Sequence, residues 1–269
     1  MIPKTIHYIW LGTNEPDEHV KKCMKSWHIL KDSGWTIKKW DDSSLQLLEV
    51  PKVIRAALEN KKYAFAADWL RLKILYSEGG VYLDTDVEVF KRFDDLLERD
   101  TLMFLGYIFV ASLGTAVIGT EPKNQVIGDL LKQYETAAYQ YNLEKKEFTI
   151  RFDFMPDMFM VNNNDMFTAY FLKHVSGFRL NGKECKCRER REIHIYPESY
   201  FEGYSLCANN NYAIHYCFGS WCEESREKHE ESKLYTYLRK IYFLRWLEDK
   251  CMRKRMIHHL PFQHYLVKK

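Results

Sequence analysis

The run from Tyr63 to Val89 constrains this chain more than any other. Phe65, Trp69, Leu72 and Tyr76 lie near one stripe, which predicts a helix over Tyr63–Ser77. Gly79-Gly80 stops that helix, because glycine takes the left-handed backbone of a helix C-terminus without a Cβ clash. Val81-Tyr82-Leu83 then reads as a short apolar strand, and Asp84-Thr85-Asp86 sets two carboxylates at i and i+2 at its end. A helix, a tight break and a buried strand in succession are the building unit of an α/β sheet. Both aspartates are ionised at neutral pH. Two hard oxygen donors at a sheet rim suit Mg²⁺ or Mn²⁺ carrying a diphosphate. A bare Asp-x-Asp is more often a solvated turn, so the surroundings have to carry the case.

The rest of the chain alternates in the same way. Thr5–Leu11 and Trp35–Trp40 read as strands, and Pro16 opens a helix to about Lys31 that Gly34 ends. Pro51 starts a further helix, Pro122 one to about Tyr141, and Asn164–Val175 another. Tyr212–Tyr216 is a late strand, and Glu223 onward reads as helical and charged. Thr101–Thr120 holds no charged residue and has the length of a membrane span. Gly106, Gly114 and Gly119 punctuate it among Val, Ile, Phe and Tyr, so two buried strands fit better. At 269 residues, 46% of them hydrophobic and 15% aromatic, the chain can bury a large core.

The charge is uneven. The net is +3, but Lys233–Lys269 alone carries +8, leaving −5 for the remainder. The division expected is a core domain over 1–222 and a basic helical extension over 223–269. Seven scattered cysteines and no N-terminal signal peptide point to a reducing cytoplasm. Cys185-x-Cys187 with Cys217 and Cys222 could hold zinc, though the spacing differs from paired Cys-x-x-Cys knuckles.

Three more segments bear on the carboxylates. Ile2–Gly12 ends a first strand in Trp10-x-Gly12, an indole for base stacking beside a turn; a core tryptophan is the plainer reading. Ala64–Arg71 places Asp68 and Arg71 at i and i+3 on one helix face, where both can reach one ligand or form a surface ion pair. Ala213–Trp221 carries His215 at a strand end, where a neutral imidazole could complete a metal shell or serve structure alone.

In order and spacing, IPKTIHYIWLG, AFAADWLRLKILYSEGGVYLDTDVEVF and AIHYCFGSW together resemble the DXD-containing sugar transferases of glycosyltransferase family 32. That group includes bacterial capsule and lipopolysaccharide sugar transferases, yeast initiating mannosyltransferases and, distantly, the glucosyltransferase domains of clostridial toxins. Weaker agreement runs through Tyr196–Phe201, and the likeness spans roughly residues 1–221. It implies a GT-A type fold with a mixed central sheet and helices on both faces, a nucleotide-sugar donor, a divalent cation and a glycan acceptor. By position it implies that Ile9 and Trp10 meet the nucleobase, and that Asp68 and Arg71 hold the ribose and donor hexose. It places Tyr82, Asp84 and Thr85 along the diphosphate, with Asp84, Asp86 and His215 on the metal and Asp86 the more direct ligand. Ser220 and Trp221 would close on the diphosphate. Family members often have Ser where this chain has Ala67, which removes a hydroxyl but keeps the carboxylate of Asp68. Val161–Asp165 falls where donor or acceptor contacts are expected. UDP is the donor nucleotide favoured by family frequency, with retention at the anomeric carbon.

A haloacid-dehalogenase-type phosphohydrolase also places Asp-x-Asp after an apolar strand. That motif wants Thr or Val two residues beyond the second Asp, where Glu88 stands, and lies nearer the N-terminus. A membrane-surface binding module is the other alternative. Its basis is the tail, where Tyr235–Arg255 interleaves aromatic and aliphatic residues with Arg and Lys, and Arg253-Lys254-Arg255 could face anionic lipid at the inner membrane and a lipid-linked acceptor. A helix packed on the core with a solvated charged face is the competing reading of that tail. Nucleic acid is not expected, because no recognition motif accompanies the charge.

Overall fold

A computed structural model describes residues 1–97, 100–155, 157–158, 162–187, 193–203, 210–217 and 242–266. From the N-terminus, β1 (Thr5–Ile9) is followed by the helices α1 (Glu18–Ser26) and α2 (His28–Lys31), then β2 (Thr36–Trp40). After β2 come α3 (Asp42–Gln46), α4 (Lys52–Glu59) and the long α5 (Tyr63–Glu78). Strands β3 (Gly80–Leu83) and β4 (Val87–Val89) flank the Asp-x-Asp turn, and β5 (Met103–Ile108) with β6 (Ser112–Thr120) makes a hairpin. Next are α6 (Gln125–Thr136), the hairpin β7 (Ala138–Asn142) and β8 (Glu147–Arg151), and α7 (Asn163–His174). The described chain ends with β9 (Cys185–Cys187), β10 (Ile193–Tyr196), β11 (Ala213–His215) and α8 (Tyr242–Ile257).

Seven strands form one mixed sheet in the order β2-β1-β3-β6-β5-β10-β9. β1 runs parallel to β2 and β3, β6 is antiparallel to β3 and β5, and β10 is parallel to β5. Successive residues of a strand face opposite ways, so one sheet serves two cores. On β3, Tyr82 joins the core built with α4 to α7, while Val81 and Leu83 join the one built with Trp27 and Leu30. The α/β class, the mixed sheet and helices on both faces agree with the sequence. The uncharged run Thr101–Thr120 is the hairpin β5–β6, whose residues are buried from Met103 to Ile108 and from Ser112 to Thr120. None of the described helices is long and apolar enough to cross a membrane.

Two local readings are corrected, and one helix is found where the sequence suggested no element. The helix opened near Pro122 ends at Thr136, not Tyr141, because Ala138–Asn142 pairs with Glu147–Arg151. Tyr139 stacks on Phe148 at 5.4 Å, and Asn142 caps the turn by accepting from Glu144 and Lys145. Asp42–Gln46 is a helix, started by a capping box between Asp41 and Ser44. The first long helix breaks at Trp27, whose indole turns inward to donate to the Val87 carbonyl at 2.8 Å.

The corner between α5 and β3 is tightly built. His7 is buried, and its Nδ1 accepts from the Trp40 indole at 3.1 Å. Its Nε2 therefore carries the proton and donates to the Gly79 carbonyl at 2.9 Å. Gly80 sits beside this ring with φ +94°, and a Cβ there would stand 2.6 Å from the Thr5 carbonyl oxygen. Gly80→Ala is expected to destabilise the fold by about 2 kcal/mol or more, from the positive φ and the backbone clash together. Guanidinium unfolding measures this; an unshifted midpoint would show that the corner relaxes freely.

Candidate functional site

Asp84 and Asp86 lie in the turn that joins β3 to β4. The Asp84 N–H donates to the Ala116 carbonyl of β6 at 2.9 Å, and the Val87 N–H closes the turn on the Asp84 carbonyl at 3.1 Å. β4 then pairs antiparallel with β11, with His215 opposite Val87. That pairing joins segments 128 residues apart and sets the imidazole beside the turn. His215 Nε2 is 3.3 Å from Asp86 Oδ1, and the Tyr216 N–H donates to the Asp86 carbonyl at 3.2 Å. Asp86 is only 9% exposed, so it is a packed residue and not the solvent-facing strand end that the sequence suggests.

Behind the turn stands Arg71. It was legible as half of a surface ion pair, but it is 4% exposed. One terminal nitrogen donates to the Thr115 carbonyl and the other to Asp84 Oδ1, both at 2.8 Å. Asp68 Oδ1 lies 3.3 Å from that second nitrogen. The guanidinium also stacks 4.3 Å from the centre of the Tyr82 ring, and the Tyr82 hydroxyl donates to Asp84 Oδ1 at 2.8 Å. Burial alone would disfavour the cation, yet Asp84, Tyr82 and Asp68 raise its pKa above the ordinary arginine value. Both side-chain bonds to Asp84 fall on the same oxygen, which fixes the carboxylate plane.

The N-terminus of α7 supports this group. Asn164 Oδ1 accepts from the Thr115 N–H at 3.0 Å and its hydroxyl at 2.8 Å. Asn163 donates to the Asp68 carbonyl at 3.2 Å. Phe65, Asp68, Tyr134, Ile150, Phe152, Asn162 and Asn163 line a cleft here, so the helix start, β8 and α5 meet at Asp68. The expectation for the Val161–Asp165 segment thus has Asn162 to Asn164 at the site, while Val161 lies outside the described residues.

The first strand contributes differently along its length. Trp10 belongs to neither apolar core; its indole donates to the Asn14 carbonyl at 2.8 Å. Ile9, by contrast, has its side chain in the core at 6% exposure, so only its backbone could meet a ligand. Thr85 is half-buried in the turn. Ser220 and Trp221 lie outside the described residues, as do Cys222, the whole segment from Glu223 to Ile241, and the boundary near 222.

Asp84, Asp86 and His215 bring three ligand atoms within 4.8 Å of one another. Two carboxylates and one imidazole are a mainly hard donor set, which fits Mn²⁺ or Mg²⁺. Among the described residues, neither Cys185 nor Cys187 joins a group able to hold a metal; they face each other at 3.4 Å on β9. Cys217 lies instead 3.4 Å from His215. Sequence reasoning missed Glu202, whose Oε2 is 2.8 Å from His215 Nδ1. Its only signal was its place directly after Tyr196–Phe201. Burial opposes charge on His215, but Cys217, Glu202 and Asp86 lift its pKa well above the ordinary value.

Residues 17–103, which contain Asp68, Arg71 and the Asp-x-Asp turn, match a family model described as the glycosyltransferase sugar-binding region containing DXD motif. Over 145 residues the chain is 30% identical to an uncharacterized glycosyltransferase, L373, of Acanthamoeba polyphaga mimivirus, an alignment covering 49% of this chain and 55% of that protein. Over 127 residues it is 30% identical to the toxin Afp18 of Yersinia ruckeri, covering 35% of this chain and 6% of the toxin. The chain thus spans about half the length of the first relative and a small part of the second. A solved structure titled PaToxG glycosyltransferase aligns over 64% of this chain and 69% of its own, with 20% identity and a TM-score of 0.43. The DXD-containing glycosyltransferase resemblance is therefore shown over the segment that holds the candidate carboxylates.

The pairing at Asp68 has a thermodynamic consequence. Burial pushes its carboxyl up to about 7, with Arg71 opposing. The native state then binds more protons at this site than the unfolded chain between about pH 4 and pH 7. Stability is lost as pH rises through that window and the full penalty applies above it. Asp68→Asn removes the ionisation, so its melting temperature is expected to fall less between pH 5 and pH 8 than that of the wild type. Scanning calorimetry at the two pH values decides it; parallel falls would reject a half-buried, proton-binding Asp68.

Proposed function

We propose that the chain is a GT-A type, metal-dependent hexosyltransferase that moves a sugar from a nucleotide donor, UDP-sugar in the first instance, to a glycan acceptor with retention. The observation that supports this most is the convergence of Asp84, Asp86 and His215 beside Arg71 and Asp68, inside and opposite the matched segment. Asp84, Asp86 and His215 would hold Mn²⁺ or Mg²⁺, which supplies Lewis-acid neutralisation of the departing diphosphate.

The chain's own residues supply the rest. Arg71 and Tyr82 fix Asp84, so the carboxylate is oriented before the donor arrives. Asp68 stands at the cleft shared with Asn162 and Asn163, where its carboxylate would accept from sugar hydroxyls. Trp10 follows β1, lies outside both cores and is partly exposed, so its ring would be available to stack on a base. Front-face transfer within an ion pair gives retention without a covalent nucleophile, and Asp68, already paired with Arg71, is not called on as one. We place the reaction in the cytoplasm, in surface polysaccharide synthesis.

The membrane part of this reading is narrowed. Arg253, one of the three adjacent basic residues of the tail, is 5% exposed and donates to the Glu202 carbonyl. Only Lys254 and Arg255 of that trio face solvent, which leaves them for an anionic surface and a lipid-linked acceptor.

Two substitutions test the core of the proposal. Asp86 is packed, so Asp86→Asn keeps its shape; it is expected to lower Mn²⁺-dependent hydrolysis of UDP-sugars by about 10²–10³-fold with the fold retained by circular dichroism. Activity within about tenfold of wild type would remove Asp86 from the metal shell. Trp10→Ala is expected to weaken UDP binding in the presence of Mn²⁺ by about 1–3 kcal/mol in calorimetric titration. Unchanged affinity would mean that the indole does not meet the base.

A further inference from the structure

Glu202 takes no part in holding donor or metal in the proposed reaction, yet at 1% exposure it is the most deeply buried carboxyl among the described residues. A carboxylate in such a place needs partners. Its Oε2 stands 2.8 Å from His215 Nδ1, while the other nitrogen of the same ring, Nε2, faces Asp86 at 3.3 Å. Its Oε1 fills the space over Gly114, where a Cβ would come within 2.3 Å. The absence of a side chain at Gly114 on β6 is what admits the glutamate in this pose.

The backbone around it is equally held. The Glu202 N–H donates to the Glu198 carbonyl at 2.8 Å, and the His215 N–H donates to the Phe201 carbonyl at 3.0 Å. Asn211 donates to the carbonyls of Ser199, Gly203 and Ala213, tying the 198–203 segment to β11. The C-terminal helix reaches the same segment: Arg253 donates to the Glu202 carbonyl, and Lys250 pairs with the Glu198 carboxylate.

We infer that Glu202 is a positioning residue that fixes His215 as an Nε2 ligand, and that α8 holds Glu202 in place through Arg253. A metal ion that binds His215 displaces one ring proton and leaves the imidazole neutral, with a single proton. A carboxylate at Nδ1 draws the proton there and leaves the Nε2 lone pair directed at the Asp84–Asp86 turn. The Cys217 thiol, 3.4 Å from the same Nδ1, is the weaker partner, since hydrogen bonds to a carboxylate are shorter and stronger. The basic helix thus becomes part of the site's scaffold. This rests on reading Asp84, Asp86 and His215 as the metal site.

The test uses the full chain and Mn²⁺ alone, with free Mn²⁺ followed by electron paramagnetic resonance. Glu202→Gln is expected to weaken Mn²⁺ binding by about 10- to 100-fold, and Arg253→Met to weaken it severalfold with Glu202 intact. Nitrogen-15 spectra of histidine-labelled wild type with Mg²⁺ give a readout that needs no variant at Glu202, with His215→Gln used to assign the signal. The expected result is a protonated Nδ1 and an unprotonated Nε2. Asp86→Asn separates the two levels. If it leaves Mn²⁺ affinity unchanged, the metal-site reading falls and this inference with it. If Asp86→Asn weakens binding but Glu202→Gln does not, or if Nδ1 is unprotonated, the positioning role alone is overturned. Unchanged affinity in Arg253→Met overturns the part assigned to α8.

Discussion

Arg71 carries a positive charge to a place that water scarcely reaches, and the architecture of the site follows from what that charge requires. Removing a guanidinium from water costs several kcal/mol unless opposite charge and good acceptors replace the solvent. Here the replacements come from four places: Asp84 at the end of β3, Asp68 on the same helix, the Thr115 carbonyl of β6, and the Tyr82 ring and hydroxyl. A single side chain thereby ties α5 to the two central strands of the sheet. It also gives Asp68 and Asp84 one shared positive partner, since both approach the same terminal nitrogen. Without that positive centre, ionised Asp68 and Asp84 would repel each other.

The same logic divides the acidic turn into two unequal halves. Asp84 is tied to the scaffold through Oδ1, while Asp86 faces the ring of His215 and takes the Tyr216 amide on its backbone. One carboxylate is set by the sheet behind it and the other by the strand β11 across from it. In the proposed metal site a cation here would join the two, so metal binding and the docking of β11 on β4 would favour each other. Anything that binds the native state alone adds to its stability by mass action. A metal site assembled from β3, β4 and β11 would therefore gain order when loaded.

Much of this was legible in the sequence because it is local. The stripe of α5, the glycine break and the apolar triplet of β3 each show a period or a breaker within a few residues, and all appear where the spacing put them. The uncharged run Thr101–Thr120 read correctly as strands for the same reason, since its glycines and β-branched residues outweigh its length. The illegible parts are those fixed by partners far away in the chain. Ala138–Asn142 is a strand only because Phe148 and Ile150 stand opposite it, and a helix reading ran straight through it. Arg71 looked like half of a surface pair because nothing near it in sequence reveals Thr115 or the depth of the sheet. Glu202 had no signal of its own; its meaning comes from a histidine thirteen residues on and a glycine on β6.

The tail shows how far charge alone can mislead. A cluster of three basic residues on an amphipathic helix suggests a surface for lipid, and composition cannot distinguish which of them point outward. In the folded chain Arg253 turns inward onto the Glu202 carbonyl and lies over the Phe109 ring at 5.3 Å, while Lys254 and Arg255 face solvent. An arginine can do this because its planar fork meets carbonyl oxygens while its face packs on an aromatic ring. The helix is thus charged for two separate reasons, one structural and one at the surface. Removing the whole tail to test membrane contact would confound them, since it would also release the segment that carries Glu202. Charge changes confined to Lys254 and Arg255 keep the two roles apart.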